Sequence, residues 1–293
     1  MSTTGATSPT TGPASGPTTG PASAAAAPAT AGQGTPAPVP PGVLPVVLLH
    51  GMRTSGTMWR AQREALERLG IPVAAPDLPG HGTRLHERFT LENAFRAVDE
   101  AVAGLGRPVL LVGLSLGGYV GAAWAARRPG AVAGLVAASC STRPLRPVVG
   151  GWTVAAHGFA RLPDRGAGIN QWLVDRTLPA SAAVDVGAGG FALDVVADAL
   201  RAVGTLRPLE DLAALEVPVW LVNGRFDHFR GEERRFLAAC RDGRLVVVPG
   251  STHLVSLVRP VAFTRAVLDA HAEVAATLAA RSANGPAQPA RGA

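Results

Sequence analysis

Residues 108–127 read PVLLVGLSLGGYVGAAWAAR, and this stretch decides the fold. Its first half is a short, uninterrupted apolar run rich in Val and Leu, which suits a strand buried on both faces. Its second half is a helix-forming run with small and apolar residues, expected over Leu116–Arg127. Between them lies Gly113-Leu114-Ser115-Leu116-Gly117, followed by Gly118, a G-x-S-x-G pattern in a strand–turn–helix setting. Glycines suit such a turn because the backbone there packs too closely for side chains. The start of the helix adds a positive partial charge next to Ser115. A serine so placed is a candidate nucleophile.

Working outward, short apolar runs alternate with helical patterns. Strands are expected at Val46–His50, Val73–Pro76, Val109–Gly113, Ala133–Ala138, Val219–Asn223 and Leu245–Val248. Helices are expected at Met58–Leu69, Leu91–Leu105, Leu116–Arg127, Gly231–Cys240 and Pro260–Ala279. That alternation implies an α/β fold, a mostly parallel central sheet with helices on both faces. The core is expected over 41–140 and 216–281. The interval 141–215 has no convincing strand, and a structureless loop of roughly 75 residues would be anomalous in a compact domain, so it reads as a helical cap.

A serine hydroxyl needs a base to take its proton. Of the seven histidines, His253 is best placed, just after the last strand candidate and before the C-terminal helix. His228 is the reserve, and His271 sits well inside a helical run. The acid that should fix the histidine's tautomer is Asp227, after the strand Val219–Asn223. The equivalent place after the preceding strand reads Ser139-Cys140-Ser141-Thr142 and offers no carboxylate. A capping role for Asp227 is the competing reading. An oxyanion would need two main-chain donors, assigned to the N–H groups of Leu116 and Met52, the latter in the loop His50-Gly51-Met52.

These motifs in this order (LLHG, the Asp77–Gly82 segment DLPGHG, GLSLGG, and the Asp227 and His253 loops) resemble the α/β-hydrolase superfamily. Within it they resemble the small cap-bearing serine esterase group, similar to pimeloyl-type methyl ester carboxylesterases and cofactor-free haloperoxidase-like hydrolases. The resemblance spans Val46 to about Ala280. It implies a carboxylesterase-like hydrolase that cleaves a carboxylic ester or thioester of a small, largely apolar substrate through an acyl-enzyme. No metal and no organic cofactor are called for. The same residues would serve an acyltransferase or a carbon–carbon bond hydrolase, and a ligand receptor with little turnover is the alternative from another class. His50 and His81 are expected to organise loops, Trp59 and Trp124 to fill the core, and Trp152, Phe159 and Trp172 to line the pocket or hold the cap down.

The rest of the composition constrains partners. The net charge is +6 and all 27 basic residues are arginine. Lacking lysine, the chain cannot form a lysine Schiff base or use a lysine base. The arginines are interspersed with Asp and Glu, which reads as solvated surface and not as a nucleic-acid footprint. No apolar run approaches a bilayer span. Cys140 and Cys240 have no metal-ligand spacing and read as free buried thiols, which fits a reducing cytoplasm. Residues 1–40, without a charged residue or an apolar signal core, read as a disordered tail, and 282–293 as another. The Pro-rich stretch Thr35–Pro45 implies that any strands before Val46 are very short or missing. The expected partner is a small-molecule ester, met by a monomer or homodimer.

Overall fold

The computed structural model describes residues 42–283 apart from 146, 148, 149, 155–157, 159, 160, 163, 165 and 166. Residues 1–41, 284–293 and Phe159 therefore lie outside the described residues. Six strands form one wholly parallel sheet. They are β1 (Val46–Leu49), β2 (Val73–Ala74), β3 (Val109–Leu114), β4 (Val132–Ala138), β5 (Val219–Gly224) and β6 (Gly243–Val248), in the order β2-β1-β3-β4-β5-β6. Among the described residues no strand precedes β1, and the two-residue β2 is one edge.

The helices are α1 (Arg60–Glu67), α2 (Leu91–Leu105), α3 (Leu116–Arg127), α4 (Ala167–Thr177), α5 (Ala180–Ala188), α6 (Val196–Val203), α7 (Pro208–Ala214), α8 (Glu233–Ala239), α9 (Val255–Val258) and α10 (Pro260–Ala283). Side-chain alternation along the strands sorts the core into two faces. Val47, Leu49, Leu111, Leu135 and Leu221 face α2 and α3. Val46, Leu48, Leu110, Val112, Val136 and Val222 face α1 and α10. Both faces being covered explains why these strands read as continuous apolar runs. Helix α3 is buried from Leu116 through Ala125, which is why its sequence is apolar all round.

Several element ends differ from the expectation. The run from Met58 divides because Ser55 caps a 3-10 turn, Gly56–Trp59, before α1 begins. The strand β6 starts at Gly243, since its half-buried edge position tolerates Gly and Arg. Helix α10 continues to Ala283, beyond the expected end. Between β4 and β5 the described residues contain helices and no strand. The far end of this interval joins the main core, through Val203, Leu206, Leu212 and Leu215. Helix α5 instead docks on the turn after β1. Thr57 Oγ1 donates to the Asp185 carbonyl at 2.6 Å, and the Arg60 guanidinium grips the Asp185 carboxylate at 2.5 and 3.1 Å.

Chain order positions the site. From β1 the chain steps outward to β2, then crosses back to β3 on the other side of β1. Connections leaving β1 and β3 thus diverge, opening a crevice at the carboxyl ends of these two strands. Ser115 follows β3 and Met52 follows β1 at that crevice. No helix of the described residues is long and apolar enough to cross a membrane.

Candidate active site

Ser115 sits at φ +52°, a left-handed conformation unusual for a residue with a side chain. It is the single residue between the end of β3 and the start of α3. Its N–H donates to Ala138 O at 2.8 Å, and its carbonyl accepts from Gly118 N at 2.9 Å. The backbone is thus fixed from both sides, which maintains the strain. The surrounding glycines are required by space. A Cβ at Gly113 would lie 2.3 Å from Gly117 O, one at Gly117 would lie 2.2 Å from Leu49 O, and one at Gly118 would lie 2.5 Å from Cys140 Sγ. Gly51 is not under the same constraint, for a Cβ there would meet Leu114 and Ser115 only at 3.6–3.8 Å, ordinary contact distances. That same proximity nonetheless sets the His50–Met52 loop against Ser115.

The Asp227 and His253 loops leave the neighbouring strands β5 and β6. They are zipped together by Arg225 N–H donating to Val248 O and Phe226 N–H donating to Ser251 O, at 3.0 and 2.9 Å. Gly224 lets them close, since a Cβ there would lie 2.2 Å from Thr252 O. His253 Nδ1 lies 3.0 Å from Asp227 Oδ1, and His253 Nε2 lies 2.9 Å from Ser115 Oγ. An ionised carboxylate only accepts, so the ring proton belongs on Nδ1. Nε2 is then left bare and accepts from the Ser115 hydroxyl. Burial pushes the Asp227 carboxyl up, but hydrogen bonds from His253 and from Phe229 N–H outweigh it and hold the group below the usual carboxylate range. Asp227 Oδ1 both faces His253 Nδ1 and caps the 3-10 turn His228–Arg230.

Leu116 N–H occupies the first position of α3, where a helix supplies no acceptor of its own. Met52 lies in the adjoining turn. Trp152 and Phe229 form a stacked pair with ring centres 6.4 Å apart, and Phe229 lies 4.9 Å from the His253 ring. Trp172, by contrast, is 62% exposed, and no contact of its ring with these residues is seen. His228 stands beside Asp227 and His253, its Nδ1 3.9 Å from Asp227 Oδ1 and its ring 5.1 Å from that of His253.

A family model described as the alpha/beta hydrolase family matches residues 46–266. The chain belongs to this family. It is 29% identical over 254 residues to a pimeloyl-[acyl-carrier protein] methyl ester esterase of Sodalis glossinidius, covering 76% of this chain and 92% of that one. It is 37% identical over 99 residues to the lipase LipV of Mycobacterium tuberculosis, but the match covers only 33% of this chain and 37% of the lipase. Among solved structures, a thermophilic esterase from Thermogutta terrifontis superimposes with a TM-score of 0.65 at 25% identity, covering 79% of this chain and 90% of that chain.

In this α/β-hydrolase the DLPGHG segment is organised around a buried acid. The buried Asp77 carboxylate accepts from Gly56 N–H at 2.7 Å and from the Thr83 N–H and hydroxyl at 2.8 Å. His50 Nδ1 lies 2.8 Å from Gly51 O, and its Nε2 accepts from Leu78 N–H at 2.9 Å. His50 thus ties the loop that carries Met52 to Leu78 of this segment. Burial lowers the His50 pKa, and burial with the adjacent His50 lowers that of His81 to about 3. Both rings are neutral in the fold. Below about pH 6.5 the unfolded chain takes up protons on these histidines while the folded chain does not, so stability falls with pH. His81 should remove up to about 1.4 kcal/mol per pH unit between about 6.5 and about 3, and His50 acts in the same direction. Thermal melts at pH 7.5 and 5 should show this loss in the wild type and a smaller one in His81→Gln. An unchanged slope would mean that His81 is charged in the fold.

Two contributors carry no motif and are missed by sequence reasoning. Ser139 is fully buried at φ +54°, at the end of β4. Its hydroxyl favours the Asp227 carboxylate, although neither Ser139 Oγ nor Asp227 Oδ2 closes a hydrogen bond of ordinary length. Tyr119, the only tyrosine, donates to Thr142 O at 2.5 Å and anchors the segment after β4. The cysteines are both free; Cys140 is buried as expected, whereas Cys240 is only partly so.

Proposed function

We propose that this protein hydrolyses neutral carboxylic esters, or thioesters, of small and largely apolar acyl groups through an acyl-enzyme on Ser115. The observation that carries the reading is the unbroken chain from Ser115 Oγ to His253 Nε2 and from His253 Nδ1 to Asp227, at 2.9 and 3.0 Å. The relatives named as esterases and a lipase support ester hydrolysis as the reaction class.

In this scheme Ser115 Oγ attacks the ester carbonyl and its proton passes to His253 Nε2. The ring becomes a cation, which the Asp227 carboxylate stabilises without taking the proton. The developing oxyanion is held by the N–H groups of Leu116 and Met52. Collapse breaks the carbon–oxygen bond, and the leaving alcohol departs with the proton from Nε2. Water then attacks the acyl-enzyme, giving one proton to Nε2. Release of the acid returns that proton to Ser115. The Trp152–Phe229 pair beside His253 supplies apolar surface for the substrate, and helices α4 and α5 act as the cap. The free thiols suit a reducing compartment such as the cytoplasm.

A panel of p-nitrophenyl esters from acetyl to decanoyl tests this reading, together with labelling by a fluorophosphonate probe. Turnover and labelling should both be present and both be lost in Ser115→Ala. No turnover across the panel, with no labelling of Ser115, would sink the proposal.

A further inference from the structure

We infer that Asp227, His228 and His253 form a zinc-binding site whose occupation switches the enzyme off. One ligand atom from each of these residues lies within 4.8 Å of the other two. Within the set, Asp227 Oδ1 is 3.0 Å from His253 Nδ1 and 3.9 Å from His228 Nδ1. Tetrahedral zinc with bonds of about 2.0–2.1 Å places its ligands about 3.3 Å apart, so one modest movement closes the set. The residue that must move is free to do so, since the His228 side chain is 57% exposed. Its ring already lies 5.1 Å from that of His253.

Two histidine nitrogens and one carboxylate oxygen are a borderline-soft, three-ligand set of the kind that holds zinc with one position left for water.

The chemistry of inhibition follows from the tautomer. In the metal-free site Nδ1 carries the ring proton and Nε2 is bare. A metal on Nδ1 moves that single proton to Nε2, and Asp227 remains a carboxylate. Nε2 then cannot accept a proton from Ser115, so the nucleophile is not activated. Zinc is thus an inhibitor and no part of turnover. The inhibition rests on the function proposed above; the binding does not.

The test uses the untagged full chain in a buffer that does not chelate metal. Zinc chloride is titrated by calorimetry into the wild type, Ser115→Ala, His86→Ala, His228→Ala and His228→Gln, each checked for folding by thermal melt. One strong site is expected in the first three. Affinity should be about tenfold or more weaker in both His228 variants, as expected when a ligand is removed. In the ester assay, zinc should slow the wild type, EDTA should restore it, and the ratio of rates with and without zinc should move towards one in both His228 variants. Wild-type affinity in those variants, or no strong site in the wild type, overturns the proposal. Absence of esterase activity would count against the proposed function alone, since calorimetry with Ser115→Ala still decides the zinc site.

Discussion

His253→Ala should lower kcat on a short p-nitrophenyl ester by about 10⁴-fold or more, with KM changed far less. Its ring contacts both Ser115 Oγ and Asp227, at 2.9 and 3.0 Å. Without it the Ser115 proton has no acceptor, and the leaving alcohol no donor. Asp227→Asn should cost less, because the imidazole remains but its favoured tautomer is lost. The double variant Ser115→Ala/His253→Ala should be no worse than either single one, since residues that act as a unit are not additive. Steady-state kinetics on the four variants, Ser115→Ala included, checks all of this. Near-normal turnover by His253→Ala would place the base elsewhere, with His228 the nearest imidazole.

Gly117→Ala carries the largest expected structural effect. The added Cβ would stand 2.2 Å from Leu49 O and 2.7 Å from His50 O. Both are main-chain atoms at the end of β1, so relief requires moving α3 away from the sheet. A cost of about 3 kcal/mol or more is expected, which for a domain of this size lowers Tm by about 6–12 °C. Activity should fall as well, because the same shift separates Ser115 from the Met52 loop. Gly187→Ala in α5 is the control, for its added Cβ meets nothing within 4 Å. It should be neutral or stabilising by up to about 1 kcal/mol. Equal Tm values for the two variants would remove steric closeness as the reason for glycine at 117.

These effects centre on residues whose identity is legible because local chemistry demands it. Gly113, Ser115 and Gly117 stand out since a strained, crowded turn restricts the choice of residue, and β1, β3, β4 and β5 stand out since burial on both faces leaves them uniformly apolar. The order of Asp227 and His253 along the chain follows from the order of β5 and β6. Legibility fails where a role depends on a neighbour distant in sequence. Ser139 is an ordinary serine until the fold sets it beside Asp227, and Gly224 is an ordinary turn residue until Thr252 approaches it. Trp152 and Trp172 read alike in the sequence, as pocket lining or cap anchors, and only the fold sets Trp152 beside Phe229 while Trp172 is 62% exposed. No periodicity distinguishes an aromatic side chain facing a substrate from one facing water.

The grip of Arg60 and Thr57 on Asp185 has an evolutionary consequence. It fastens α5 to the turn that follows the Met52 loop. Gly189 tightens the joint, because a Cβ there would overlap Ser55 Oγ. On the proposed function, the cap helix α5 is therefore fastened to the turn that follows the loop of the proposed oxyanion donor. Directed evolution at 180–189 would alter selectivity and chemical rate together, and compensating changes would be expected to collect at 55–60, on the opposite side of the joint.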